Sequence, residues 1–249
     1  DEDGGAGDPE GEGVAAMAAP TAMLFIFFFV LTMSSSFMLR SVTKEKESRV
    51  VEVLLLSLRP RELMLGKILG LGVAALLQMA IWMGGGLLVL GEGLPILGLA
   101  ASALSLDLPT GFLIWVALYF LLGYLTFSSA LGALGTLAPN MREGSQFTFA
   151  LLLPLMIPLW LSSSFIDAPN GPLATFLSIF PLTAPVSMVT RLAATTVPLW
   201  QILLSLGLLA ATTYGFVLIS ARFFRADTLL STAPLNLQRI LSELRSRIT

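Results

Sequence analysis

Five long runs of apolar residues dominate the chain, and shorter polar segments separate them. The runs cover residues 15–38, 68–90, 112–136, 147–165 and 199–221, and none of them contains Asp, Glu, Lys or Arg. A hydrocarbon core of about 30 Å needs roughly 20 apolar residues in a helix, and backbone in lipid must satisfy its hydrogen bonds within the segment. The pattern therefore predicts an all-α, polytopic helical membrane protein with five spans.

The composition agrees with a lipid environment and narrows the chemistry. Of 249 residues, 55% are hydrophobic and only 12% are charged, whereas a soluble domain usually has about 25% charged residues. The chain has neither cysteine nor histidine, so disulfides, thiolate metal sites and histidine general bases are excluded. No predicted span carries paired carboxylates. We therefore predict that the chain is not an enzyme and holds no metal or cofactor of its own.

The cations lie almost entirely on one side of the predicted spans. Seven lie in the connector 39–67, and the tail after residue 221 adds five arginines. Arg142 lies in the loop 137–146 on the same side, while Arg191 is alone on the other. Cytoplasmic loops are enriched in Lys and Arg. The sequence therefore predicts an exterior start, a cytoplasmic C-terminus and a location in the cell membrane.

The two ends of the chain differ from the region between them. Residues 1–13, "DEDGGAGDPEGEG", are acidic and glycine-rich, which is typical of a solvated exterior linker. A signal peptide would begin with cations, and this stretch begins with carboxylates. Because an odd number of spans with an exterior start then needs a further helix upstream, we interpret the chain as part of a longer protein. Residues 14–225 form the predicted transmembrane domain. Residues 226–249 form a cytoplasmic amphipathic tail, which we expect to lie on the inner leaflet.

The connector 41–62 combines both charge signs with an apolar stripe. The stripe consists of Val51, Leu54, Leu55 and Leu58 at helical spacing. A second face carries Glu45, Arg49 and Glu52, with the first acid four residues before the base. Pro60 breaks this helix and suits the first turn of the next. The spacing predicts a short amphipathic helix and leaves two uses open, a topology anchor or a docking surface for a soluble partner.

Two stretches carry a family resemblance. Residues 41–70, "SVTKEKESRVVEVLLLSLRPRELMLGKILG", resemble the segment after the second span of ABC-2-type permeases, in particular the sodium-extrusion, NatB-like branch. The matching positions are Glu45, Lys46, Glu47, Arg49, Glu52, Val53, Leu54, Leu55, Pro60, Gly66 and Lys67. Residues 180–193, "FPLTAPVSMVTRLA", are similar to the stretch before the last span of that family, through Pro181, Thr183, Pro185, Met188 and Arg191. The resemblance covers about residues 14–225.

The resemblance implies a type V ABC exporter-like transmembrane domain that lacks its first span and exterior domain. It implies an ATP-driven exporter subunit whose 41–62 segment couples to a separate ATPase, which would hold ATP and magnesium. Glu45, Lys46, Glu47, Arg49 and Glu52 are the candidate coupling residues. A second permease protomer, in a homo- or heterodimer, and membrane lipid are the further partners. It also implies that 166–198 forms short outer helices that re-enter the membrane partway. Prolines within "DAPNGP" and "FPLTAP" independently disfavour one continuous helix there.

Other functions compete with an exporter subunit. An ion-coupled secondary transporter or a channel-like protein is the main alternative, although such transporters normally keep ionisable groups in the membrane and the predicted spans have none. The substrate stays open between Na⁺, drugs, lipids and peptides. Arg191 has Asp167, Glu92, Asp107 or a lipid phosphate as candidate partners. Small-residue spacings at Gly66/Gly70 and Gly132/Gly135 predict close helix packing, and Gly84–Gly86 predict packing or a hinge.

Overall fold

The structure, a computed structural model, describes residues 9–54, 56–57, 59–88 and 111–223. Within these ranges the chain forms helices and turns without a strand, so the predicted all-α class is confirmed. The helices in the described residues are α1 Pro9–Glu47, α2 Val50–Leu54, α3 Pro60–Leu88, α4 Phe112–Leu137, α5 Met141–Trp160, α6 Ser162–Asp167, α7 Pro172–Ile179, α8 Ala184–Ala194 and α9 Leu199–Phe223. Because α1 begins at Pro9, residues 9–13 of the predicted linker are helical. The predicted tail 226–249 and residues 91–110 lie outside the described residues.

Four of the described helices are long and apolar enough to cross a membrane. They are Pro20–Glu47 within α1, Glu62–Gly86 within α3, Phe112–Leu137 and Leu199–Phe223. The remaining predicted span, 147–165, is not among them, so the count of five is approximate. That segment is divided between α5 and α6, with the break at Leu161. Pro154 and Pro158 lie in the last two turns of α5, where each removes a backbone donor and weakens the helix.

The connector 41–62 differs from the single short helix that its spacing predicts. Residues 41–47 continue α1 without interruption, and the break comes at Ser48 and Arg49. Arg49 adopts a left-handed backbone conformation with φ 57°, which reverses the chain before α2. Consequently Glu45, Arg49 and Glu52 do not share one helix face. The side chains of Val51, Leu55 and Leu58 in the predicted apolar stripe lie outside the described residues.

Helix α4 lies at the centre of the bundle and makes its most extensive contacts with α1 and α9. Phe27 of α1 meets Phe120 of α4 edge to face, with the ring centroids 5.9 Å apart. Buried hydroxyl groups add polar ties: the Tyr124 hydroxyl donates to the Ile68 carbonyl at 3.2 Å, and the Thr126 and Thr213 hydroxyl oxygens lie 2.6 Å apart. Because such groups find no water in an apolar interior, these pairs fix α3 and α9 against α4.

Glycines permit the closest helix contacts, although not at every predicted position. A Cβ atom added to Gly135 of α4 would lie 3.0 Å from Val42 Cβ of α1, so the packing prediction is confirmed there. Within the described part of the chain, no atom of another helix lies within 4 Å of a Cβ added to Gly66 or Gly70, so the prediction is wrong for them there. The closest approach involves Gly123 of α4, whose added Cβ would lie 2.9 Å from Pro185.

Residues 166–198 contain two short helices, α7 and α8, rather than one continuous helix. Helix α8 is buried along most of its length, from Ala184 to Leu192, and packs mainly against α1 and α7. Pro181 lies in the turn that precedes it. The Thr183 hydroxyl donates to the carbonyl oxygens of Leu177 and Phe180 at the end of α7. These bonds fold the two short helices against each other at one end of the bundle.

Candidate functional site

The candidate site lies where the polar ends of five helices meet. Helices α1, α4 and α9 end there, and α3 and α5 begin there. We call this region the charged end, because α1 places Glu45, Lys46 and Glu47 there together with most of the described cations. The opposite end carries α6, α7 and α8. The positions of the three motif residues at the charged end decide what the motif can do.

Glu45 binds helix α3. Its Oε1 forms an ion pair with Lys67 Nζ, and both residues belong to the family motif. Lys67 Nζ also donates to the Ser41 hydroxyl at 2.7 Å. The side chains are only 28% and 10% exposed, for Glu45 and Lys67 respectively. Because partial burial reduces solvent screening, this pair stabilises the α1–α3 contact more than an exposed pair would.

Lys46 binds the end of helix α4. Its Nζ donates to the carbonyl oxygens of Thr136 and Ala138 at 2.8 and 3.1 Å. The last carbonyls of a helix lack donors within the helix and carry a partial negative charge. The ammonium group therefore satisfies two acceptors and complements the helix dipole at the same time.

Glu47 binds the beginning of helix α5. Its Oε1 accepts from the Met141 backbone N–H at 2.7 Å. Asn140 caps the same helix, because its Oδ1 accepts from the Glu143 N–H at 3.0 Å. A carboxylate at a helix N-terminus is favourable for the same electrostatic reason. The Asn140–Glu143 spacing is a capping signature that sequence reasoning could have found and did not use.

Close backbone contact supports these three bonds. Besides Gly135, an added Cβ at Gly144 of α5 would lie 3.4 Å from both Ala138 Cβ and a Leu39 methyl group. A larger side chain at either glycine would push α1 away from the α4–α5 turn. Three consecutive charged residues of α1 thus hold three different helices, and we call Glu45, Lys46 and Glu47 with their partners the three-helix clasp.

The other candidate coupling residues lie at the tip beyond the clasp. Arg49 is exposed in the turn between α1 and α2, and Glu52 lies on α2, its side chain outside the described residues. Val50, Val53 and Leu56 are 44%, 67% and 87% exposed. Pro60 is the first residue of α3, and the Glu62 carboxylate accepts from the Arg59 N–H at 3.0 Å. Among the described side chains, the tip therefore exposes apolar residues beside Arg49 and Arg59.

Arg191 is the buried cation of the opposite end. Its side chain is fully buried, and its NH2 group donates to Asn170 Oδ1 at 3.1 Å and Gln201 Oε1 at 3.0 Å. Asp167 is not its partner, full burial keeps it from lipid phosphate, and Glu92 and Asp107 lie outside the described residues. Nothing in the sequence pattern pointed to the two amides. Nε and NH1 have no hydrogen-bond partner within the described part of the chain.

Burial lowers the pKa of Arg191 from its usual value, because desolvation disfavours the charged form. The guanidinium nevertheless stays protonated, since arginine is not deprotonated in proteins. A buried charge whose hydrogen-bond acceptors are amides rather than a carboxylate is costly, so we expect the charge itself to add little to stability.

We expect Arg191→Met to unfold within a few degrees of the parent protein, because it removes the desolvation cost and fills most of the volume. Water can reach Asn170 and Gln201, which are partly exposed. Arg191→Ala instead leaves a cavity and is expected to lose about 2–3 kcal/mol. Thermal unfolding of the purified protein in detergent compares the two variants. An equal loss for Met and Ala would show that the charge itself stabilises the fold.

The comparisons with known proteins agree with this architecture. The family model described as ABC-2 family transporter protein matches residues 9–222, so the chain belongs to the ABC-2 family of multi-pass membrane transporter proteins. It is similar to an uncharacterized protein, MJ1024, of Methanocaldococcus jannaschii, with 32% identity over 93% of this chain and 55% of that protein. It is also similar to the uncharacterized protein YhaP of Bacillus subtilis, with 28% identity over 84% of this chain and 50% of that protein.

The chain thus spans about half the length of the curated relatives that it matches. No solved structure gave a significant match. Membership in the ABC-2 family confirms the family resemblance drawn from the two motifs, while the NatB-like branch stays a prediction.

Proposed function

We propose that this chain is the permease part of an ATP-driven ABC-2 exporter and that its charged end couples to a separate ATPase subunit. The three-helix clasp is the observation that carries the proposal. Glu45, Lys46 and Glu47 hold α3, α4 and α5 to α1. A displacement of the end of α1 would therefore move the ends of all four helices together.

The tip, which is the connection between α1 and α3, supports a docking role. Among the described side chains of the tip, Val53 and Leu56 are the most exposed apolar ones, at 67% and 87%. They lie beyond the end of a span rather than along its lipid face. Arg49 and Arg59 are exposed beside them. Exposed apolar residues with a polar rim are typical of protein interaction sites. In this proposal the tip contacts the ATPase, and the clasp transmits the motion.

The proposed orientation places the charged end in the cytoplasm. In the described residues the cations concentrate at this end, and cytoplasmic segments carry the excess of Lys and Arg. Trp160 and Trp200 lie at the opposite ends of α5 and α9 and are 65% and 61% exposed, as an aromatic belt at the exterior interface requires. The short helices α7 and α8 would then close the exterior side.

The remaining components follow from the family. A second permease protomer would complete the pathway, and the ATPase would bind ATP and magnesium. The described residues contain no group of three or more Asp or Glu side chains that could hold a metal ion. The transported substrate stays open between Na⁺, drugs, lipids and peptides.

Co-purification of the whole protein with an ATPase from a neighbouring reading frame tests the proposal. The variant Val53→Asp/Leu56→Asp is expected to bind the ATPase on the order of 100-fold more weakly, because carboxylates would replace two apolar contacts in the buried interface. Thr196→Asp, exposed at the opposite end, is the matched control and should retain it. Unchanged ATPase binding by the double variant would contradict a docking role for the tip. Transport that needs no ATP would favour the secondary-transporter alternative.

A further inference from the structure

A cavity opens between α1 and α5 at the charged end, beside the three-helix clasp. It has a volume of about 420 Å³ and is lined by Arg40, Lys44, Glu47, Met141 and Ser145. The volume is large enough for a small polar group. Neither Arg40 nor Lys44 takes part in the contacts of the three-helix clasp or lies at the tip.

Two exposed cations dominate the cavity. Arg40 and Lys44 lie one turn apart on α1, so their side chains project from the same face. Neither makes an ion pair within the described residues. The carboxylate of Glu47 also lines the cavity, but its Oε1 is engaged by the Met141 N–H at 2.7 Å. The cavity therefore has an excess of positive charge, and Ser145 adds a hydroxyl donor at its edge.

An exposed apolar face leads directly into this cavity. Phe25, Phe29, Met33 and Phe37 follow one another every four residues along α1 and are each between 43% and 50% exposed. The same helical face continues to Arg40 and Lys44. On α5, Phe149 lies one turn after Ser145 and is 58% exposed. The chain thus presents a strip of aromatic rings that ends in two cations.

The cations lie at the depth of lipid phosphates. Ile26 is in the middle of the uncharged part of α1, residues 13–39. At about 1.5 Å per residue, Arg40 is about 21 Å and Lys44 about 27 Å from it along the helix axis. With its headgroups the bilayer is about 40–45 Å thick, so Arg40 lies among the headgroups, and Lys44 lies about one helical turn further out, from where its long side chain can reach the phosphates.

From these observations we propose that the cavity binds the phosphate of an anionic phospholipid in the adjacent leaflet, which is the cytoplasmic one in the proposed orientation. Arg40 and Lys44 contact the phosphate, Ser145 donates to the headgroup, and the acyl chains lie on Phe25, Phe29, Met33 and Phe37. Guanidinium and ammonium groups both bind phosphate well. The net positive charge favours an anionic headgroup over a zwitterionic one. The site requires the membrane location but not the ATPase coupling.

A second copy of the chain fits this face less well. In a two-fold dimer the same patch meets itself, so Arg40 and Lys44 would approach the same cations of the other protomer. Such like-charge contacts are unfavourable. An anionic headgroup provides the opposite charge, and lipid chains match the apolar strip.

Lipid retention by the whole protein tests this site. The protein is reconstituted in nanodiscs of phosphatidylcholine alone or of an equal mixture with phosphatidylglycerol, and bound lipid is measured by native mass spectrometry. Arg40→Gln/Lys44→Gln is expected to weaken phosphatidylglycerol binding by roughly 30-fold, since each basic residue contributes about fivefold. Arg142→Gln/Arg222→Gln is the matched control, because it removes two exposed cations that do not line the cavity. The control should bind like the parent.

Several results would overturn the proposal. Equal phosphatidylglycerol binding by the parent and Arg40→Gln/Lys44→Gln is one. If inorganic phosphate alone stabilised the protein against unfolding as much as phosphatidylglycerol does, the cavity would be assigned to a free anion. A photoreactive phenylalanine analogue at position 37 should crosslink to lipid, and a crosslink to a second protomer would assign the face to the dimer. The single variants Arg40→Gln and Lys44→Gln, each expected to lose about fivefold, decide the matter if the double variant does not fold.

Discussion

Gly123→Leu is expected to destabilise the protein by about 3 kcal/mol or more. A Cβ atom at this position of α4 would lie 2.9 Å from both Cβ and Cγ of Pro185 and 3.3 Å from a Leu31 methyl group. The proline ring is rigid and begins the buried helix α8, so it cannot turn aside as a flexible side chain would. The larger side chain must therefore separate α4 from α1 and α8. Thermal unfolding followed by fluorescence-detected size-exclusion chromatography measures the loss.

Gly207→Leu is the matched control for this substitution. Gly207 lies in α9, where no atom of another described helix comes within 4 Å of an added Cβ. Removing an interior glycine favours the helix by about 0.5–1 kcal/mol, so this variant should unfold at or slightly above the parent temperature. If both leucine variants unfold at the same temperature, the Gly123–Pro185 contact does not determine how α8 packs on α4.

Reversal of the Glu45–Lys67 pair is expected to have the largest effect on transport. Glu45→Lys places two ammonium groups at a contact that is only 10–28% exposed, which costs about 2 kcal/mol or more and separates α1 from α3. We expect ATP-dependent transport to fall at least tenfold while the ATPase still co-purifies, because the tip residues are unchanged. Lys67→Glu should give the same defect. Transport into inverted vesicles and co-purification are measured on the same preparations.

The charge swap Glu45→Lys/Lys67→Glu provides the internal control. It restores opposite charges at the same place, and the carboxylate at position 67 can accept from the Ser41 hydroxyl, which now accepts from Lys67. Most of the lost transport should return. Arg142→Glu, an equal reversal at an exposed position, should have little effect. If the single reversals transported like the parent, the clasp would have no role in transmitting motion from the ATPase to the helices.

Hydropathy predicted the long spans because an uncharged run of about 20 residues has few alternatives to a membrane helix. Residues within α1, α3, α4 and α9 meet this condition. The run 147–165 met it as well, but Pro154, Pro158 and the break at Leu161 interrupt the helix. Apolar content indicates whether a segment lies in lipid or in water. Where its helix ends depends instead on proline, because each proline removes a backbone hydrogen-bond donor.

The clasp shows what sequence spacing could not provide. The motif identified Glu45, Lys46, Glu47 and Lys67 as important, yet it assigned the first three to a partner surface. Their partners are largely backbone atoms at helix ends, the carbonyls of Thr136 and Ala138 and the Met141 N–H. Such acceptors and donors have no residue-type signature, so only the packing of the helices identifies them. Arg191 illustrates the same limit, because its acceptors are two amides and the sequence had offered only carboxylates or a lipid phosphate.

Helix α1 continues without a break past the end of its apolar part, and its length determines how far one end moves when the other end tilts. From Pro20 to Glu47 it extends about 42 Å without an internal proline, and it packs on α8 near one end and on the α4–α5 turn at the other. A stiff rod of that length behaves as a lever arm. A swing of about 5° about one end would displace the other by about 4 Å, so a small movement at the charged end would be felt at the opposite end, where α1 packs on α8.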